Sequence, residues 1–273
     1  MSSLAPGSQH PEHPDPHLQG EATVRLRWGR RGAREAAAAG DVLVVVDVLS
    51  FSTACALATA RGVLVHPCPP GDGASLAARL GARLAGRREA GGPSLSPASL
   101  AGLAAGTRLV LPSPNGALCS TLGARCPAVL LGALVCARAT ARAAARACAE
   151  TGRALSVLAC GERWSAADPD DGALRVALED QLGAGAVIAA LQATGPSPSW
   201  DARPSAEAIH TALAFEAARP RLAELLADCG SGRELRARGF PQDVAAAAEL
   251  DAVEVAPWLV LDGDAPCFAA APA

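Results

Sequence analysis

Four short stretches hold the side chains best suited to chemistry. They are Asp47 with Ser52 and Thr53, Ser113 with Asn115, Glu162 with Arg163, and the pair Glu179–Asp180. The first three each follow an apolar run that reads as a strand, so their polar groups fall at strand carboxyl ends. In open α/β sheets ligands gather beyond those ends, where helix N-termini point inward. Glu179–Asp180 lies on a predicted helix expected to face the same cleft. Carboxylates with an amide oxygen and few histidines make a hard oxygen donor set, which suits Mg2+ better than Zn2+. Taken singly, each stretch has a plainer reading. An aspartate at a strand end is an ordinary helix N-cap, Asn115-Gly116 is a turn signal, and Glu179–Asp180 is a solvated helix face.

The elements that must position these groups alternate along the chain. Ala22–Trp28 reads as an edge strand, and Asp41–Val48 as a β-branched strand buried on both faces. A helix over Ala54–Ala60 and a strand over Gly62–Pro67 follow. Residues 74–90 read as one helix, and 91–106 as a loop with a short helix. Arg108–Leu111 is a strand ending in a turn at Pro112–Gly116, followed by a helix from Ala117 to Leu122. Ala128–Gly132 and Leu155–Ala159 are strands separated by a helix, Ala137–Thr151, closed by Gly152. A loop at 168–172 leads to a long helix, Leu174–Ala193, interrupted by Gly183 and Gly185. Beyond a Pro/Ser linker at 195–199 come helices near 205–218, 220–228, 231–238 and 241–250, then a last strand, Trp258–Leu261. Alternating strands and helices predict an α/β layered fold, a central mixed or parallel sheet flanked by helices. Residues 1–20 read as a disordered tail and 21–273 as one domain, with a possible subdomain boundary near 195–204.

Composition narrows the partners. The 273 residues are 50% hydrophobic, with a mean hydropathy of +0.22, an excess owed mostly to alanine. No apolar run reaches the ~18 residues a bilayer-spanning helix needs, and the first 20 residues lack the basic and apolar regions of a signal peptide. The expectation is a cytoplasmic protein with no membrane partner. A net charge of -3 argues against nucleic acid. Nine cysteines, an odd number without a C-x-x-C pair, suit reduced buried thiols. The chain has no lysine, so all 24 basic residues are arginine. That excludes a Walker A loop, a Schiff base to pyridoxal phosphate and a lysine general base.

Five segments, in order, carry a family resemblance: V-V-V-D-V-L-S-F-S-T (44–53), S-P-N-G (113–116), C-G-E-R-W (160–164), L-R-V-A-L-E-D-Q-L-G-A-G-A (174–186) and S-G-R-E-L-R-A-R-G-F-P-Q-D-V (231–244). The chain resembles the 2-phosphosulfolactate phosphatase (ComB) family over roughly residues 41–263. The resemblance implies an α/β fold of that family's own type, a homodimer, and Mg2+-dependent hydrolysis of a small anionic phosphoester, 2-phosphosulfolactate, to sulfolactate and phosphate. It makes Asp47, Glu162 and Asp180 the catalytic acids, and Asp47, Glu162 and Glu179 the metal ligands. Ser52, Thr53, Asn115, Arg163, Arg175 and Arg233 become the substrate-binding residues. The commoner family form reads D-V-L-R-A-S-T, with arginine where this chain has Ser50. Loss of a charge-assisted hydrogen bond there costs about 1.5–3 kcal/mol of binding.

Two other readings belong beside this one: a phosphatase of another small phosphorylated hydroxy acid, and a non-catalytic anion-binding paralogue. Other phosphatase plans fit worse. A D-x-D-x-T nucleophile motif fails at Leu49, and a cysteine-phosphatase loop fails because three residues, not five, separate Cys229 from Arg233. His10, His13 and His17 have loose metal-like spacing in the Pro-rich tail. His66 and His210 read as packing or surface residues.

Overall fold

In the computed structural model, which describes residues 15–164, 173–194 and 199–271, strands and helices alternate along the chain. The strands are β1 (Val24–Trp28), β2 (Val42–Val46), β3 (Leu64–Cys68), β4 (Arg83–Leu84), β5 (Arg108–Pro112), β6 (Val129–Gly132), β7 (Leu155–Ala159), β8 (Glu162–Arg163), β9 (Leu174–Arg175), β10 (Pro257–Asp262) and β11 (Ala265–Ala270). The helices are α1 (Gly29–Ala39), α2 (Phe51–Thr59), α3 (Gly73–Leu80), α4 (Pro97–Leu100), α5 (Gly116–Leu122), α6 (Ala137–Thr151), α7 (Leu178–Ala193), α8 (Ala206–Ala218), α9 (Leu222–Asp228), α10 (Gly230–Ala237) and α11 (Pro241–Ala247). Nine strands form one mixed sheet in the order β1-β7-β2-β6-β10-β11-β3-β5-β4, and β8 pairs with β9. The chain is thus α/β, as its alternation predicts. Among the described residues, no helix is long and apolar enough to cross a membrane.

Two parallel blocks make up the large sheet. β1, β7, β2 and β6 form one, and β3, β5 and β4 the other. The β10–β11 hairpin stands between them, antiparallel to β6 on one side and to β3 on the other. All five residues of β2 are buried because helices cover both faces. Val42, Val44 and Val46 face a core shared with α6, α7 and α8, while Leu43 and Val45 face one shared with α1, α2 and α5. Alanine-rich helices let these layers sit close. The glycines of α7 serve that contact and leave the helix unbroken. A Cβ at Gly183 would come 2.5 Å from Val48, and one at Gly185 would come 2.4 Å from the Thr211 carbonyl of α8.

Several expectations need correcting. Residues 74–90 do not form one helix. α3 stops at Gly81, which takes a left-handed φ of 58°, and Arg83–Leu84 then joins β5 as an edge strand. The helix expected from Leu174 begins at Leu178, because Leu174–Arg175 pairs with Glu162–Arg163 instead. α1 and β11 carry no clear sequence signal. α1 is mostly Arg and Ala, and β11 holds a proline and three alanines. Of the expected tail, residues 1–14 lie outside the described residues, as does the 168–172 loop. The Gln19 side chain is hydrogen-bonded to the Leu26 backbone, which ties that end of the stretch to β1. The 199–204 stretch is likewise tied to β1: Thr23 and Val24 both donate to the Arg203 carbonyl. α7 also packs on α8, the helix that follows this stretch.

The sheet curls strongly. β2 and β5 stand five places apart in it, which in a flat sheet is about 24 Å. Yet the Gly116 N–H just beyond β5 donates to Asp47 Oδ2 just beyond β2, at 2.8 Å. Curling brings distant strand ends over one spot.

Candidate active site

Asp47 occupies that spot, buried at the end of β2. Its Oδ2 accepts from the Gly116 N–H and, at 3.3 Å, from the Ser113 hydroxyl; its Oδ1 accepts a long 3.4 Å bond from the Phe51 N–H. Burial nevertheless raises its pKa above the usual carboxylate range, with the neighbouring Glu179 adding to the effect. Gly116 is required by the close approach. A Cβ there would lie 2.4 Å from the Phe51 ring and 2.8 Å from Asp47 Oδ2. The hydroxyls of Ser52 and Thr53, expected at the phosphate, are engaged in the turn itself. Ser52 Oγ accepts from the Asp47 N–H and donates to the Val45 carbonyl, and Thr53 donates to the Val48 carbonyl.

Asp180, in the first turn of α7, braces two strand ends. Its Oδ1 accepts from the Val48 N–H after β2 and its Oδ2 from the Gly161 N–H after β7, both at 2.8 Å. Burial and then the charges of Asp47 and Glu179 push its pKa well up. Glu179 is buried beside Asp47 and faces the Cys229 thiol. Glu162, on β8, accepts from the Asn115 amide at 3.0 Å. Its carboxyl is pushed up to about 7, first by burial and then by the charge of Asp47, against the pull of Asn115 and Arg175. Asp47 and Glu179 act electrostatically on each other and on both Glu162 and Asp180, so the four acids converge around Asp47 and Glu179.

Asp47, Ser113, Asn115 and Glu162 share a cavity of about 190 Å3 with Ser50 and Arg88. Arg88 has no place among the sequence-derived candidates, and neither has its partner Asp243. Arg88 Nε donates to Asp243 Oδ2 at 3.0 Å, and its Nη2 donates to Ser50 Oγ at 2.7 Å. A guanidinium thus stands beside the motif's serine, delivered from another part of the chain. The three arginines named from sequence are placed differently. Arg163 lines a wider cleft of about 720 Å3, which also contains Arg30 and has Asn115 as a common wall. Arg175 lies over the Trp164 ring and acts on Glu162 electrostatically. Arg233 is exposed and bonded to the Asp228 carbonyl, away from both cavities.

Among the described residues, no three His, Cys, Asp or Glu side chains form a ready-made metal cage. Mg2+ does not need one. It binds through one or two carboxylates, keeps several waters and bridges to phosphate. Asp47 Oδ1, held by only one long hydrogen bond, and the neighbouring acids are oxygen donors of that kind.

The family described as 2-phosphosulpholactate phosphatase matches residues 31–261 of the chain. No curated protein matches it.

Proposed function

Since the chain belongs to the 2-phosphosulpholactate phosphatase family, a family of hydrolases, we propose that its acidic cavity hydrolyses the phosphomonoester of 2-phosphosulfolactate with the help of Mg2+. One observation carries this reading: four acids from three separate stretches lie buried close together, and burial first, then the charge of neighbouring acids, raises the pKa of Asp47, Glu162 and Asp180. A cation relieves such crowding, and a phosphoryl group can share it. Mg2+ held by Asp47, with Glu162 and Glu179 as the other donors, would neutralise charge developing on the phosphoryl oxygens.

The chain's own residues do the rest. Water attacks phosphorus in line, or Asp47 does so and water then cleaves the aspartyl-phosphate; the ester oxygen leaves with a proton as sulfolactate, and phosphate is the other product. Ser113 and Gly116 hold Asp47 in position for either route. In a route where Glu162 stays off the cation, its pKa of about 7 suits it to passing a proton at physiological pH, and Asn115 aims it. Asp180 keeps the β2 and β7 ends together beneath them. The protein is also proposed to be cytoplasmic and a homodimer. Nine free buried thiols support the first, and the family resemblance supplies the second.

The test is phosphate release from 2-phosphosulfolactate by EDTA-treated protein titrated with Mg2+, run beside phospholactate and phosphoglycolate. Turnover should require Mg2+ and favour 2-phosphosulfolactate. Asp47→Asn should lower kcat by about 10²–10⁴-fold. Unchanged turnover in that variant removes Asp47 from the chemistry, and a preference for phospholactate moves the substrate to a hydroxy acid without sulfonate.

A further inference from the structure

The guanidinium of Arg88 is fixed on two of its three nitrogens. Nε donates to Asp243 Oδ2, and Nη2 donates to Ser50 Oγ and, at 3.4 Å, to the Leu95 carbonyl. Nη1 has no acceptor among the described residues. The side chain is 10% exposed and the Asp243 side chain fully buried. Asp243 is held in turn by the Ser96 hydroxyl, 2.6 Å from its Oδ1, and Arg88 lies over the Phe240 ring, 5.9 Å from its centroid. A planar cation braced in this way keeps one face of donors in a set direction, the arrangement that recognises carboxylate and sulfonate oxygens. Arg88 and Ser50 both line the cavity shared with Asp47, Asn115 and Glu162. Arg238, the other arginine in its wall, is more exposed and already paired with Glu89 and Glu234.

We propose that Arg88, presented by Asp243 and joined by Ser50, forms the subsite for the substrate's non-transferred oxyanion, the acid group that stays on the alcohol product. The proposal rests on the phosphatase reading above and assigns the two ends of that substrate. Phosphorus lies against Asp47 and Glu162, and the acid tail reaches Arg88 on the side of Ser50. A purely structural Arg88–Asp243 pair would behave differently, because removing it would disturb both ends alike.

The experiment compares the unaltered protein with Arg88→Ala in Mg2+ buffer. It reads KM and kcat for 2-phosphosulfolactate and the inhibition constants of sulfolactate and inorganic phosphate. The expected result is a rise of about 10- to 100-fold in KM and in the sulfolactate constant, with kcat and the phosphate constant nearly unchanged. Equal shifts in the two inhibition constants, or none in either, overturn the subsite. If Arg88→Ala does not fold, Arg88→Lys keeps a cation against Asp243 while losing the planar fork, and the same split between inhibitors is read from it. Absence of turnover in the unaltered protein sinks the function and the subsite together, whereas turnover with an unmoved KM in the variants sinks the subsite alone.

Discussion

Asp180 differs from Asp47 in how firmly its oxygens are held. Each accepts a backbone N–H at 2.8 Å, one from each of two neighbouring strand ends, whereas Asp47 Oδ1 has only a 3.4 Å bond, so Asp180 braces the fold as well as lying among the acids. Asp180→Asn keeps the shape but points an amide NH2 at one of those N–H groups. A buried donor left unsatisfied costs about 1–3 kcal/mol, so the urea midpoint should fall by that equivalent. A midpoint unchanged from the unaltered protein would mean that the brace holds nothing. Sequence made Asp47, Asn115 and Glu162 legible as a group because each is an abrupt polar residue closing an apolar strand. The roles of Ser52 and Thr53 were not legible, since a hydroxyl after a strand serves a turn or a ligand with the same spelling. Arg88 was silent for a related reason. It stands in Arg87-Arg88-Glu89, where any one side chain could be solvated, and only the fold selects the one that turns inward.

β3 contains a buried histidine that lies outside the acidic site. His66, in β3, lies against the Pro266 carbonyl, which can only accept; Nδ1 therefore carries the proton of the neutral ring. Nε2 is left without a hydrogen bond, 3.4 Å from Asp262 Oδ2. Protonation would let it pair with Asp262, but burial outweighs that attraction, and the nearby Arg108 opposes it too, so the pKa is lowered. The sign follows directly. The unfolded chain binds this proton near pH 6.5 and the folded chain only at lower pH, so stability falls as pH drops from about 6.5 through the folded value. Thermal midpoints measured between pH 7 and 5 should decline more steeply for the unaltered protein than for His66→Gln. Parallel curves would show that His66 contributes no such dependence. Among the elements, β2, β5, β6 and β7 were readable because buried parallel strands are unbroken β-branched and leucine runs. β4 and β11 were not, since two residues carry no period and an alanine-rich strand resembles a helix.

At the scale of the molecule, the hairpin of β10 and β11 is what joins the two parallel blocks. Neither block touches the other in the sheet without it. Removal of residues from Pro257 onward would leave the edges of β6 and β3 unpaired, with Phe268 gone from its contact with Phe51. Such a chain should elute as aggregate in size exclusion and lose its near-ultraviolet circular dichroism. A monodisperse, folded product would show that the blocks can close on one another unaided. The α/β class was readable from alternation alone, whereas this closure was not. Strand order depends on long-range pairing, and no local pattern records that a late hairpin inserts in the middle.

That insertion has a consequence for synthesis. The hairpin leaves the ribosome after the seven other strands of its sheet, so a growing chain carries two half-built sheets with open borders throughout most of translation. Until the late strands arrive, the two blocks are joined through the side chains of α1, α2 and α5 packed against β2, and the borders of β6 and β3 stand open to wrong partners.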